Sequence, residues 1–128
     1  MGLVQHRTNP ISEKAIAAAI EVHRHLGPGL LESTYQTCVC RELELRGVHF
    51  RTQVPLAIEY KGASTGRGYV IDLLIEETLI AEIKSVDKLL PIHSSQLITY
   101  MRLQKVPSGL LINFNVAILV HGLRRVLL

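Results

Sequence analysis

The period of apolar positions changes several times along the chain, and each change predicts an element. Ile11, Ala15, Ala18, Ala19, Val22 and Leu26 recur every three or four residues after Asn9-Pro10, which predicts a capped amphipathic helix stopped at Gly27-Pro28-Gly29. A second helix is predicted from about residue 30 to residue 46, ending at Gly47. From Phe50 to Tyr60 the pattern alternates. Val54, Leu56, Ile58 and Tyr60 share one face, and Pro55 places this strand near a sheet edge. The stretch 61–68, with three glycines, is a hairpin loop leading into two strongly apolar runs, 69–75 and 79–86. Pro91-Ile-His93-Ser-Ser starts a third helix, and 110–114, 116–120 and 123–128 are strand candidates that extend the sheet. A sheet with helices on its faces makes an α/β domain.

Isolated charges interrupt the two apolar runs. Asp72 stands alone in the first, and Glu82-Ile83-Lys84 in the second. An unpaired carboxylate removed from water costs several kcal/mol, so a strand that keeps one must pair it, hydrogen-bond it or give it a cation. Glu82 and Lys84 lie two apart and share a face. A three-residue loop at Glu76-Glu77-Thr78 would set Ile75 opposite Leu79 and Asp72 opposite Glu82, whereas a two-residue turn would put the acids on opposite faces. No Gly or Asn in the loop decides between them. Oxygen ligands of this kind suit Mg²⁺ or Mn²⁺, and a neighbouring ammonium could orient an attacking water and offset charge on a phosphate. Taken alone, so short a pattern recurs by chance, and a salt-bridged patch on a half-exposed strand is the simpler reading.

Further segments join it in order. Gly29-Leu-Leu-Glu32-Ser-Thr-Tyr35 opens a helix, the Asp72 to Lys84 hairpin follows, then His93-Ser-Ser-Gln96-Leu-Ile-Thr-Tyr100, then Gly109-Leu-Leu-Ile-Asn-Phe-Asn115. In this combination the chain resembles the GxxExxY protein family, a branch of the PD-(D/E)XK nuclease superfamily, from about Ile11 onward. The resemblance implies a restriction-endonuclease-like core, a mixed β-sheet flanked by helices, in one domain spanning 1–128. Matched residue by residue, it implies Asp72 and Glu82 as metal ligands and Lys84 as the catalytic lysine, with Glu32 and Gln96 assisting from two helices. Tyr35, His93, Tyr100, Lys61 and Arg67 are then candidates for substrate binding. Several have a plainer role: Glu32 as helix N-terminal charge, Tyr35 as a core or rim aromatic, Gln96 as a solvated residue, His93 as a cap or surface residue, and Lys61 and Arg67 as hairpin-loop charges.

Composition narrows the function less than the motifs do. With 128 residues, 48% of them hydrophobic, the chain can bury a sizeable core. Fourteen basic against eleven acidic residues, net +3, permit nucleic-acid binding without demanding it. Only four Tyr and two Phe are present, with no Trp, so no aromatic-rich basic groove separates RNA from DNA. No transmembrane helix or signal peptide is predicted, which points to a cytoplasmic protein without a membrane partner. Cys38 and Cys40 fall about 200° apart on their helix and are expected as free thiols, while the six His residues form no zinc pattern. Surplus aliphatic surface allows a homodimer. Two functions remain: a metal-dependent nuclease acting on DNA or RNA, and a non-catalytic domain of the same fold that binds nucleic acid or a protein.

Overall fold

The computed structural model describes residues 9–66 and 68–128, so the Arg67 candidate lies outside the described residues. Among the described residues three helices, α1 (Pro10–Leu26), α2 (Glu32–Leu45) and α3 (Pro91–Gln104), flank a sheet built from β1 (Phe50–Leu56), β4 (Tyr69–Ile75), β5 (Leu79–Lys84), β6 (Ser108–Asn113) and β7 (Leu123–Leu127). Between β1 and β4, β2 (Glu59–Tyr60) and β3 (Ala63–Ser64) make a separate small hairpin. The sheet order is β1-β4-β5-β6-β7. Only β5 and β6 are parallel, with α3 as the crossover between them, so the sheet is mixed.

Local chemistry accounts for the helix ends. Asn9 Oδ1 accepts hydrogen bonds from the Ile11 and Ser12 amides and so caps α1, and Gly27, at φ 69°, closes it. The register of β4 against β5 is the one a three-residue connection requires: Ile75 pairs with Leu79, Leu74 with Ile80 and Leu73 with Ala81. Glu76 and Glu77 both take positive φ, 52° and 57°, to make that turn without a glycine. One face of the sheet packs under α1 and α2 through Leu73, Ile75, Leu79, Ala81, Ile83, Leu110 and Ile112. The other packs under α3 through Leu74, Ile80 and Leu111. Gly109 lets α3 sit close, since a Cβ there would meet Met101 and Leu97.

The sheet forks at its middle. Pairing of β4 with β5 stops at Leu73 and Ala81; beyond that point β4 stays with β1 as far as Tyr69, and β5 stays with β6 as far as Lys84. Where they part, β1 and β4 exchange faces. Phe50 packs with the α1/α2 core, yet Val54 and Leu56 pack under α3; Leu73 packs with the α1/α2 core, yet Ile71 packs under α3. A regular strand keeps residues two and four apart on one face, so both strands roll over, β1 at Gln53 and β4 at Asp72. Gln53 has φ 49° in mid-strand, a left-handed conformation that costs a non-glycine residue on the order of 1 to 3 kcal/mol.

Two expected strands are corrected. The alternating run from Phe50 to Tyr60 does not continue as one strand: β1 ends at Leu56, and Tyr60 is 65% exposed in the small hairpin, where the Thr65 amide and hydroxyl both donate to the Ile58 carbonyl. Residues 116–120 are not a strand either. They form a turn that leads into a 3₁₀ segment, Leu119–Gly122, because β6 must reverse sharply into β7; Gly122 passes so close to the Asn113 carbonyl that a Cβ would collide with it. Cys38 and Cys40 are free and half-buried. Among the described residues no helix is long and apolar enough to cross a membrane.

Candidate active site

At the fork, carboxylates replace the ladder. The Asp72 amide donates to Glu82 Oε2 at 2.9 Å, and the Ile83 amide donates to Asp72 Oδ2 at 2.9 Å, so each acid satisfies a backbone group on the strand opposite. Burial explains why the arrangement is electrostatically tense. Glu82, 6% exposed, has its pKa pushed up to about 8, first by burial and next by the Asp72 charge; the Asp72 amide and Lys84 offset only part of this. Asp72 is also raised, mainly by burial and further by Glu32, against the Ile83 amide, Lys84 and the Gln53 side chain, which lower it. Tyr100, on α3, is raised by burial and then by the charges of Glu82, Tyr69 and Asp72. Tyr69, exposed at the start of β4, tilts against the Tyr100 ring at 6.1 Å.

Glu32 reaches the same end of β5 from the first turn of α2. Its Oε2 accepts from the Ser85 amide at 3.1 Å, and the Ser85 hydroxyl donates to the Leu30 carbonyl at 2.7 Å, pinning the loop before α2 to the residue after Lys84. Tyr35 prepares that loop from below. Its hydroxyl donates to the Gly27 carbonyl at 2.6 Å and accepts from the Leu30 amide at 3.1 Å, and its ring stacks on Phe114 at 4.3 Å. With 0% exposure Tyr35 has no surface for substrate, so the substrate-binding expectation gives way to a role in the core. Asn113, across from Lys84 on β6, bonds Val86 through both its Oδ1 and Nδ2, fixing the chain on the far side of Lys84.

The structure thus brings Asp72, Glu82, Lys84 and Glu32 to one end of β5, with Tyr100 on α3 within range of the acids' charge. The other candidates stand apart. Gln96 is exposed one turn before Tyr100, and no hydrogen bond among the described residues ties it to the acids. His93 acts as the plainer reading has it, with Nδ1 accepting from the Leu90 amide at 3.0 Å to close the start of α3. Lys61 sits in the β2–β3 hairpin with its ammonium 5.4 Å from the centre of the Tyr60 ring. Gln53 and Asn113 are the residues that sequence reading missed. Gln53 gives no signal in a strand pattern, whereas an Asn inside the apolar stretch 110–114 was a legible one.

The donors present fit a hard divalent cation. Asp72 and Glu82 each commit one oxygen to a backbone amide, leaving Oδ1 and Oε1 as the donors a cation would use. Among the described residues no three His, Cys, Asp or Glu side chains gather as a ready-made ligand cluster. Mg²⁺ asks for no such cage, since it takes one or two protein carboxylates and fills its shell with water and phosphate oxygens. A sequence model of the PD-(D/E)XK nuclease superfamily matches residues 9–126. The chain belongs to this superfamily. Among curated proteins and solved structures, nothing matches significantly. Membership accords with the mixed five-stranded sheet flanked by helices.

Proposed function

We propose that the protein is a metal-dependent nuclease that hydrolyses phosphodiester bonds of DNA or RNA, with Asp72 and Glu82 holding Mg²⁺ or Mn²⁺. One observation carries the reading: a buried acid, Glu82, and a half-buried one, Asp72, are cross-bonded over a parted pair of strands, in surroundings that raise the pKa of both and lift Glu82 to about 8. A bound divalent ion would supply Lewis-acid polarisation of the phosphate and a more acidic water. The rest falls to the chain. Lys84 orients the attacking water and counters charge that develops on the phosphate oxygens. Glu32, held by the Ser85 amide, sets the shape of the end of β5 and adds to the field that draws a cation in. Tyr100 serves as a substrate contact, and Gln96, exposed one turn before it and unbonded to the acids, is left as a contact to substrate at most, while Lys61 and Arg67 offer cationic contacts to a nucleic-acid backbone.

Within the superfamily, the Gly29-x-x-Glu32-x-x-Tyr35 segment supports the GxxExxY branch as the narrower assignment. The same reading takes the chain as one cytoplasmic domain. It allows a homodimer, for which exposed Leu127 and Leu128 at the open β7 edge supply apolar surface.

The test is cleavage of single- and double-stranded DNA and RNA by purified protein with Mg²⁺, with Mn²⁺ and with chelator. Asp72→Ala should remove both divalent binding and turnover. Lys84→Ala should keep the ion bound and slow turnover by about 10²- to 10⁴-fold. Cleavage that survives both substitutions, or no cleavage together with metal-independent binding of nucleic acid or protein, would overturn the nuclease reading in favour of a contaminant or a non-catalytic domain, respectively.

A further inference from the structure

The two strands that part at the fork carry different chemistry on the face covered by α3. On β5, Ile80 packs under α3, and Glu82 and Lys84 follow it at two-residue steps on the same face. On β4, Ile71 packs under α3, and Tyr69, two residues earlier, shares its face. Because β4 and β5 no longer pair beyond Leu73 and Ala81, the opening between them has a charged bank on β5 and an aromatic bank on β4. Tyr100 of α3 joins the aromatic bank, its ring 6.1 Å from that of Tyr69 and tilted by 45°.

The fold does not use these rings fully. Tyr69 is 52% exposed and belongs to neither core cluster. A phenol as enclosed as that of Tyr100, 6% exposed, ordinarily finds a hydrogen-bond partner, yet its hydroxyl bonds no described residue. A nucleic-acid strand divides in the same way as the opening, into charged phosphates and flat bases. Tyr69 stands three residues before Asp72, about 10 Å along β4, a span that the base next to a phosphate held by the acids can cover.

We propose that Tyr69 is a specificity-determining residue of the candidate site: its ring stacks an unpaired base beside the phosphate bound at Asp72, Glu82 and Lys84, so the preferred substrate is single-stranded or locally opened nucleic acid. The inference rests on the reading of this site as one that holds a nucleic-acid phosphate. A base inside a duplex already has both faces covered by its neighbours, whereas an unpaired base of any identity offers a face to an aromatic ring. The Tyr100 hydroxyl then bonds the edge of that base or its sugar. The β2–β3 hairpin continues from the Leu56–Tyr69 end of the β1–β4 pair and carries exposed Tyr60 beside Lys61, which extends the path of a strand leaving Tyr69.

Matched single-stranded and duplex oligonucleotides, as DNA and as RNA, test this with wild type, Tyr69→Ala and Tyr69→Phe. Cleavage gives kcat and KM; fluorescence anisotropy of labelled strands gives Kd in the Lys84→Ala background with Mg²⁺; thermal midpoints check that each variant is folded. Tyr69→Ala should raise Kd and KM for single strands about 5- to 150-fold, with kcat nearly unchanged and a smaller effect on duplex. Tyr69→Phe keeps the ring and should recover the wild-type values. Single-strand Kd and KM unchanged in Tyr69→Ala, or equal losses on single strand and duplex, overturn the proposal, and Mg²⁺-dependent cleavage by the wild type then leaves the nuclease reading standing. Single-strand binding that depends on Tyr69, in a wild type that cleaves nothing, keeps the stacking role and removes the nuclease reading. A wild type that neither binds nor cleaves nucleic acid removes both.

Discussion

A carboxylate with its pKa pushed up to about 8 makes folding depend on pH in a defined direction. Glu82 binds a proton more tightly in the folded chain than at its ordinary value of 4.5, so the native state holds more protons between the two values and loses stability as pH rises from about 4.5 to about 8. The total is on the order of a few kcal/mol. The thermal midpoint of metal-free protein should therefore fall across that window. Glu82→Gln, which retains an acceptor for the Asp72 amide, should flatten the fall; a midpoint equally pH-dependent in the variant would assign the effect elsewhere. The site acids were legible at this scale because a lone charge in an apolar strand has to be compensated. Gln53 was not, because nothing in a glutamine announces a left-handed backbone or the reach its side chain gains from one.

Elements hold the site through a few close approaches. The Tyr35 hydroxyl fixes the loop between α1 and α2, so Tyr35→Phe should keep the stack on Phe114 yet cost about 1 to 3 kcal/mol in denaturant unfolding, by leaving the Leu30 amide and Gly27 carbonyl without their partner. Gly122→Ala would drive a methyl group into the Asn113 carbonyl and should cost about 1 to 3 kcal/mol, measured the same way. It should also slow cleavage, because Asn113 secures Val86 just beyond Lys84. The three helices were legible from apolar spacing and their caps. The breaks at residues 57–58 and 116–118 were not, since apolar residues in a sharp connection match the composition of a strand and only long-range packing tells them apart.

At the scale of the whole molecule, the mixed sheet divides into a β1–β4 arm and a β5–β6–β7 body whose backbones pair only over the short stretch of Leu73–Ile75 with Leu79–Ala81. An ion held by Asp72 and Glu82 would join arm and body. Mg²⁺ at about 100 times its Kd should then stabilise the wild type by about 2.7 kcal/mol and leave Asp72→Ala unchanged, in unfolding curves at fixed pH. The order of the segments made the fold class readable; the parting of the strands was not, because it arises from a rolled backbone at two facing positions. That parting also turns two amides into reporters. The Asp72 and Ile83 N–H groups are sheltered by side chains instead of by strand pairing, so their hydrogen exchange should respond to divalent ions and to Glu82 protonation while the neighbouring Leu74 and Ile80 amides hold their rates. Nuclear magnetic resonance could then follow occupancy of the site without any substrate, through signals from the backbone itself.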